Sequence, residues 1–227
     1  VKLSLGLITA IAAITSTFVL FIMAEVIADW FEGAGLELTF ASLLGLFYFS
    51  GVYLSIVKSK HINQCSILLC VCTSSFIALR SASFLVFFSV TEQHVNNLQN
   101  VILGCIVGLG ICISFSALFR FLLIEIKQSH YKWLVTIFWS AFLAGQTSEI
   151  VLLLSQVDII SLGTPLFDTS KWIKDSSEYG HILNALIGYE SSPTLAMAVA
   201  YAIAFVIPMV FGFILKLKIS LREVAHA

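Results

Sequence analysis

The sequence predicts an all-α integral membrane protein, a six-helix transmembrane bundle forming one domain over residues 1–227. Three observations predict it. Hydrophobic residues make up 59% of the chain and charged residues 11%, where a soluble domain carries roughly 45–50% apolar and about 25% charged residues. Mean hydropathy is +1.00, more apolar surface than a soluble fold of this size can hide. The charges that remain fall between long apolar runs. Soluble enzyme and nucleic-acid binder are both poor readings of such a chain, and the net charge of −1 says nothing by itself.

Windows free of charge cover 3–24, 38–57, 62–79, 101–119 and 191–215, and 133–157 is interrupted only by Glu149. The third continues through Arg80 to about Thr91. Crossing a ~30 Å hydrocarbon core takes about 20 helical residues. The predicted spans are therefore 3–24, 36–57, 66–90, 101–124, 133–154 and 195–215. Lipid leaves no backbone group unpaired, and these runs lack the alternation of barrel strands, so helices are the only option.

Each span has its own mark. The first is too long for a cleavable signal peptide and has no cleavage-site region; because the chain opens on Val1, its true start is expected upstream. In the fourth, Gly104 and Gly108 form a GxxxG that lets another helix approach closely. In the last, Pro208 is expected to kink the helix. Cys65, Cys70, Cys72, Cys105 and Cys112 form no CxxC and read as apolar packing residues. The five histidines lie in loops or at helix ends, which rules against a haem-binding bundle.

Orientation follows from the basic residues. Lys2, Lys58, Lys60, Arg120, Lys127, Lys132, Lys216, Lys218 and Arg222 all fall at one set of ends. Only Lys171 and Lys174 lie opposite, among nine acidic residues from Glu25 to Glu190. Both termini are expected in the cytoplasm, with an acidic face outside. The connections are short except 158–190, an outer loop of a length that is usually functional or packs as a small unit of its own. Its apolar run, 181–189, predicts a short interfacial or re-entrant helix capped by Ser176 or Ser177.

Two groups carry chemical interest. Arg80 lies near the middle of the third span, where a lone charge costs about 2.5–3.5 kcal/mol on the translocon scale. Glu149 reaches a similar depth in the fifth and is its expected partner. Together they either lock two helices or line a polar path. Outside, Glu25, Asp29 and Glu32 recur at i, i+4 and i+7, one face of a continuing helix. Asp175 and Glu178 stand one turn apart if the loop is helical there. Such carboxylates either gather cations or are simply solvated helix ends; whether any residues hold a metal stays open.

From Gly145 to about Tyr201 the chain resembles the oxidase-coupled high-affinity iron permeases. The match rests on Gly145-Gln-Thr-Ser-Glu149, Asp168-Thr-Ser-Lys-Trp172, and the run from Gly180 through Leu183, Ala185 and Leu186 to Gly188-Tyr189 and Pro193. Phe31-Glu32-Gly33, and Phe76-Ile-Ala-Leu-Arg80, look like two further family junctions. The resemblance implies that fold minus its first helix. In the family, two Arg-Glu-x-x-Glu helices face each other across an inverted repeat and offer oxygen ligands to iron. The motif at Arg80 reads Arg-Ser81-Ala-Ser-Phe84, so a hydroxyl and a phenyl ring replace both glutamates. Asp175-Ser-Ser-Glu178 stands where yeast-type members carry an outer loop implicated in receiving iron.

The expectation is an iron-permease-like polytopic protein without the iron-path carboxylates, serving as a membrane subunit or scaffold of a larger complex. The alternative is a functional permease carrying iron across the inner membrane. A third reading makes Arg80 an anion or counter-ion site for another substrate. No enzyme activity and no cofactor are expected, iron entering only as a transported ion. The expected partners are the lipid bilayer and other membrane or periplasmic subunits, not nucleic acid. The expected location is a bacterial inner membrane.

Overall fold

The computed structural model describes residues 2–56, 62–92, 98–128 and 132–225. Over them the chain is mostly helical: α1 Lys2–Ala28, α2 Gly35–Ile56, α3 Ile62–Glu92, α4 Leu98–Gln128, α5 Lys132–Gln156, α6 Glu178–Ile187 and α7 Leu195–Ala225. Among the described residues there is no strand beyond one isolated bridge, Pro165 to Thr194. Lys58 and Lys60, two of the orientation-setting residues, lie outside the described residues.

Among the described residues five helices are long and apolar enough to cross a membrane: Gly6–Ala28, Gly35–Ser55, Ile106–Ile126, Trp133–Gln156 and Leu195–Gly212. By length and composition this is a multi-pass helical membrane protein. The expected third span, 66–90, differs. It lies within the continuous helix α3, but its described apolar stretch is only Cys70–Leu85. Thr73, Ser74, Ser75, Arg80, Ser81 and Ser83 dilute it. Most helices also run past the predicted spans, because helical hydrogen bonding does not stop where the hydrocarbon does.

The junction of α1 and α2 corrects one expectation. Glu25, Asp29 and Glu32 do not all share a helical face: Asp29 still follows Glu25 at i, i+4, its N–H donating to the Glu25 carbonyl at 3.4 Å, but Glu32 leaves the helix. A tight 3₁₀ turn over Trp30–Gly33 follows, in which Phe31 and Glu32 take left-handed backbone angles, φ 53° and 62°. Each such residue costs roughly 1–2 kcal/mol. The turn returns the chain so closely that a Cβ on Gly35 would stand 1.9 Å from the Ile27 carbonyl oxygen. Glu32 is thrown off the line of Glu25.

Helix α1 lies along α3; α2 packs on α3, α5 and α7; α5 packs on α7 and carries α6. The core joins Phe47, Tyr48 and Val52 of α2 to Cys72 of α3, Leu143 and Ala144 of α5, and Ala204 of α7. Phe47 stacks on Phe76 with ring centroids 4.5 Å apart. Cys70 and Cys72 are buried, as apolar packing requires, but Cys112 is exposed on α4. The side chains of Cys65 and Cys105 are outside those described.

Pro208 shows how sequence-local chemistry is settled by a distant helix. Proline has no N–H, so the Ala204 carbonyl one turn earlier loses its intrahelical donor. Tyr48 of α2 donates its hydroxyl to that oxygen at 3.1 Å, and Pro208 itself is fully buried. Tyr48→Phe is expected to leave the carbonyl unsatisfied and to cost about 1–2 kcal/mol. Reversible unfolding in mixed detergent measures it; an unshifted midpoint means that the Tyr48 bond contributes nothing.

Candidate functional site

The site begins with two side chains on one face of α5. Gln146 and Glu149 stand one turn apart with Thr147 and Ser148 between them, and Arg80 reaches them from α3. Arg80 Nη1 donates to Glu149 Oε1 at 2.7 Å, and Nη2 donates to Glu149 Oε2, a two-pronged ion pair. Nη2 also donates to Gln146 Oε1 at 2.8 Å. The buried Gln146 is oriented in turn, its Nε2 donating to the Phe142 carbonyl at 3.4 Å. One turn before Arg80, the Phe76 ring lies 5.3 Å from the guanidinium carbon, close enough for a cation–π contact. The planar fork of arginine suits this geometry and an ammonium would not.

The pair is not sealed. The Arg80 and Glu149 side chains keep 44% and 31% exposure, because both open into a cavity of about 500 Å³. Its far wall is α6 with the segment after it: Asn184, Gly188 and Glu190. Ser81 and Phe84, at the positions of the missing glutamates, do not line the cavity. Glu25, Asp29 and Glu32 are exposed at the α1–α2 turn and do not line the cavity. Among the described residues no three His, Cys, Asp or Glu side chains form a metal-binding group.

What holds α6 over the cavity is the long outer loop. Ser177 caps the helix, accepting from the Gly180 N–H at 3.1 Å. At the other end Gly188 turns left-handed, φ 68°, and seats directly on Gly145 of α5. A Cβ on Gly188 would stand 2.2 Å from the Gly145 Cα. Only two glycines can meet this way. The segment is tied down by Thr169, whose N–H donates to the Ser191 carbonyl at 2.7 Å and whose hydroxyl bonds that of Tyr189 at 2.7 Å. The Tyr189 hydroxyl also reaches the Ile173 carbonyl at 3.0 Å.

Asp175 belongs to this scaffold. One carboxylate oxygen accepts from the Ser191 N–H at 2.8 Å, the other from its hydroxyl at 2.5 Å. The helix starts only at Glu178, so Asp175 and Glu178 are not on one helical turn as the sequence suggested. Glu178 is exposed in the first turn, where the helix dipole favours a negative charge. Asp168 accepts from the Ser170 N–H at 2.8 Å. Hydrogen bonds from the Ser170 side chain and backbone hold its carboxyl below the ordinary value.

Three wall residues were missed from sequence. Gln146 had a signal, an amide one turn from Glu149 on an apolar helix. Asn184 and Glu190 had none, since only the docking of α6 brings them here. Burial, and then the charge of Asp175, raise the Glu190 carboxyl above its ordinary 4.5. A raised carboxyl binds its proton more tightly in the folded state. Its contribution to stability is full below the ordinary value and is lost as pH rises through the raised one. Glu190→Gln is therefore expected to be more stable than the parent at neutral pH, the difference closing below pH ~4. Melting curves across that range test it; a constant difference would refute it. No family model, curated protein or solved structure matches the chain.

Proposed function

We propose that this chain is a subunit of a larger membrane assembly, built on an iron-permease-like plan, and that alone it neither moves iron nor catalyses a reaction. The observation that carries this is α4. From Leu103 to Leu118 every described side chain on α4 is exposed except the half-buried Gly108. Gly104, Gly108 and Gly110 have no atom within 4 Å of where a Cβ would stand. Glycine inside a helix costs about 1 kcal/mol relative to alanine, which lipid contact does not return. Close approach by a second helix does return it, through backbone packing.

Charge at the polar site supports the same reading. Arg80 and Glu149 cancel, so among the cavity's described wall residues Glu190 alone leaves a negative charge over, too little to compensate a trivalent ion in a low-dielectric core. On this reading the chain sits in a bacterial plasma membrane with both termini inside and its acidic loops outward, beside other membrane or periplasmic subunits.

The test uses the open space around the glycines. Gly104→Leu with Gly108→Leu places each added Cβ where nothing in the chain stands within 4 Å, so the variant should fold and melt like the parent. In native membranes it should fall out of the complex that the parent forms in mild detergent. A parent that purifies as a lone particle, or a complex indifferent to the double substitution, overturns the proposal. Saturable iron uptake by vesicles holding only this chain, lost on Glu149→Gln, would restore the permease alternative.

A further inference from the structure

The cavity at Arg80 adjoins a second one of about 260 Å³, and Ser148 and Glu190 belong to the walls of both. The two differ in character. The larger holds the Arg80–Glu149 pair with Phe76 and Phe142. The smaller is walled by Phe167, Tyr189 and Tyr201. Glu190 stands where they meet. Among the described residues its carboxylate has neither a hydrogen-bond donor nor a cationic partner, although it is half-buried.

The charge balance then selects the ligand. Arg80 is neutralised by Glu149 through both prongs of its fork, and no lysine lines either cavity. The net charge facing the joined space is the single negative charge of Glu190. An anion would have to break the Arg80 pair to find a donor. A metal ion would want six or more oxygens, or three convergent ligating side chains, and the described residues offer no such group. One carboxylate between aromatic faces is instead the pattern that receives an organic ammonium, whose charge is diffuse and whose body is apolar. The space is that of a small-molecule pocket.

We propose that the joined cavities bind a small organic monocation, its ammonium at Glu190 and its apolar body against the rings of Phe167, Tyr189 and Tyr201. The raised Glu190 carboxyl agrees with a carboxylate held without its counter-ion. This site is independent of the assembly proposed above.

Benzyltrimethylammonium, titrated calorimetrically into the purified full chain in nanodiscs, is the probe. Saturable binding is expected, weakened about tenfold or more by Glu190→Gln, which removes the only uncancelled charge. Glu149→Gln is expected to weaken it as well, because Arg80 then stands uncancelled beside the ligand. Asp168→Asn, an exposed carboxylate outside both cavities, should leave it unchanged. Glu190→Gln removes an unpaired charge and is expected to fold at least as well as the parent, so lost binding cannot be lost structure. No saturable binding, equal binding by Glu190→Gln, or tighter binding of benzoate or calcium than of the ammonium overturns the proposal.

Discussion

Gly188→Ala is expected to detach α6 from α5 and to lower stability by about 2–5 kcal/mol, from left-handed strain plus overpacking. The added Cβ would meet the Gly145 Cα at 2.2 Å, and backbone cannot move aside as a side-chain tip would. The residue must also hold φ 68°, which alanine resists. Gly145→Ala attacks the same contact from the other side, 2.8 Å from Gly188. Gly163→Ala separates the two causes: its φ is 70° but nothing stands within 4 Å of a Cβ there. It should show strain alone, about 1 kcal/mol. Labelling of Leu186→Cys, a half-buried α6 position beside Trp139 and Phe142 of α5, by a water-soluble maleimide, above the background from the parent's own cysteines, reports the docking. Should Gly188→Ala leave both the unfolding midpoint and that labelling unchanged, the glycine contact does not hold α6.

The second large effect is at the ion pair. Arg80→Ala is expected to cost about 3 kcal/mol, chiefly by stranding Glu149 at membrane depth beside a Gln146 oxygen that has lost its donor. Arg80→Ala with Glu149→Ala should cost less than Arg80→Ala alone, since no uncompensated charge remains. The four-cornered cycle, measured by reversible unfolding, isolates the coupling. Simple additivity would mean that the cavity hydrates both groups well enough to make the pair energetically idle. That outcome would also weaken the charge-cancellation step on which the ammonium site depends.

Features set by depth in the membrane, or by neighbours along the chain, were legible in the residues alone. Apolar runs of the right length marked the membrane helices, and Arg80 and Glu149 stood out because each is costly alone in lipid. Ser177 was among the expected caps because capping is a contact three residues long. Which way each helix faces was settled only in three dimensions. A left-handed turn at Phe31 broke the line of Glu25, Asp29 and Glu32. Packing of the outer loop tied Asp175 to Ser191 and carried Glu190 into a cavity beside Arg80, while α4 kept almost its whole described surface exposed. The physical reason lies in the solvent. In water, an apolar stripe tells the core face of a helix from its outer face. In lipid both faces are apolar, so α1, α2 and α5 carry no such stripe, and packing by small residues and scarce polar pairs chooses the inside. Those partners sit on different helices, and no local pattern announces them.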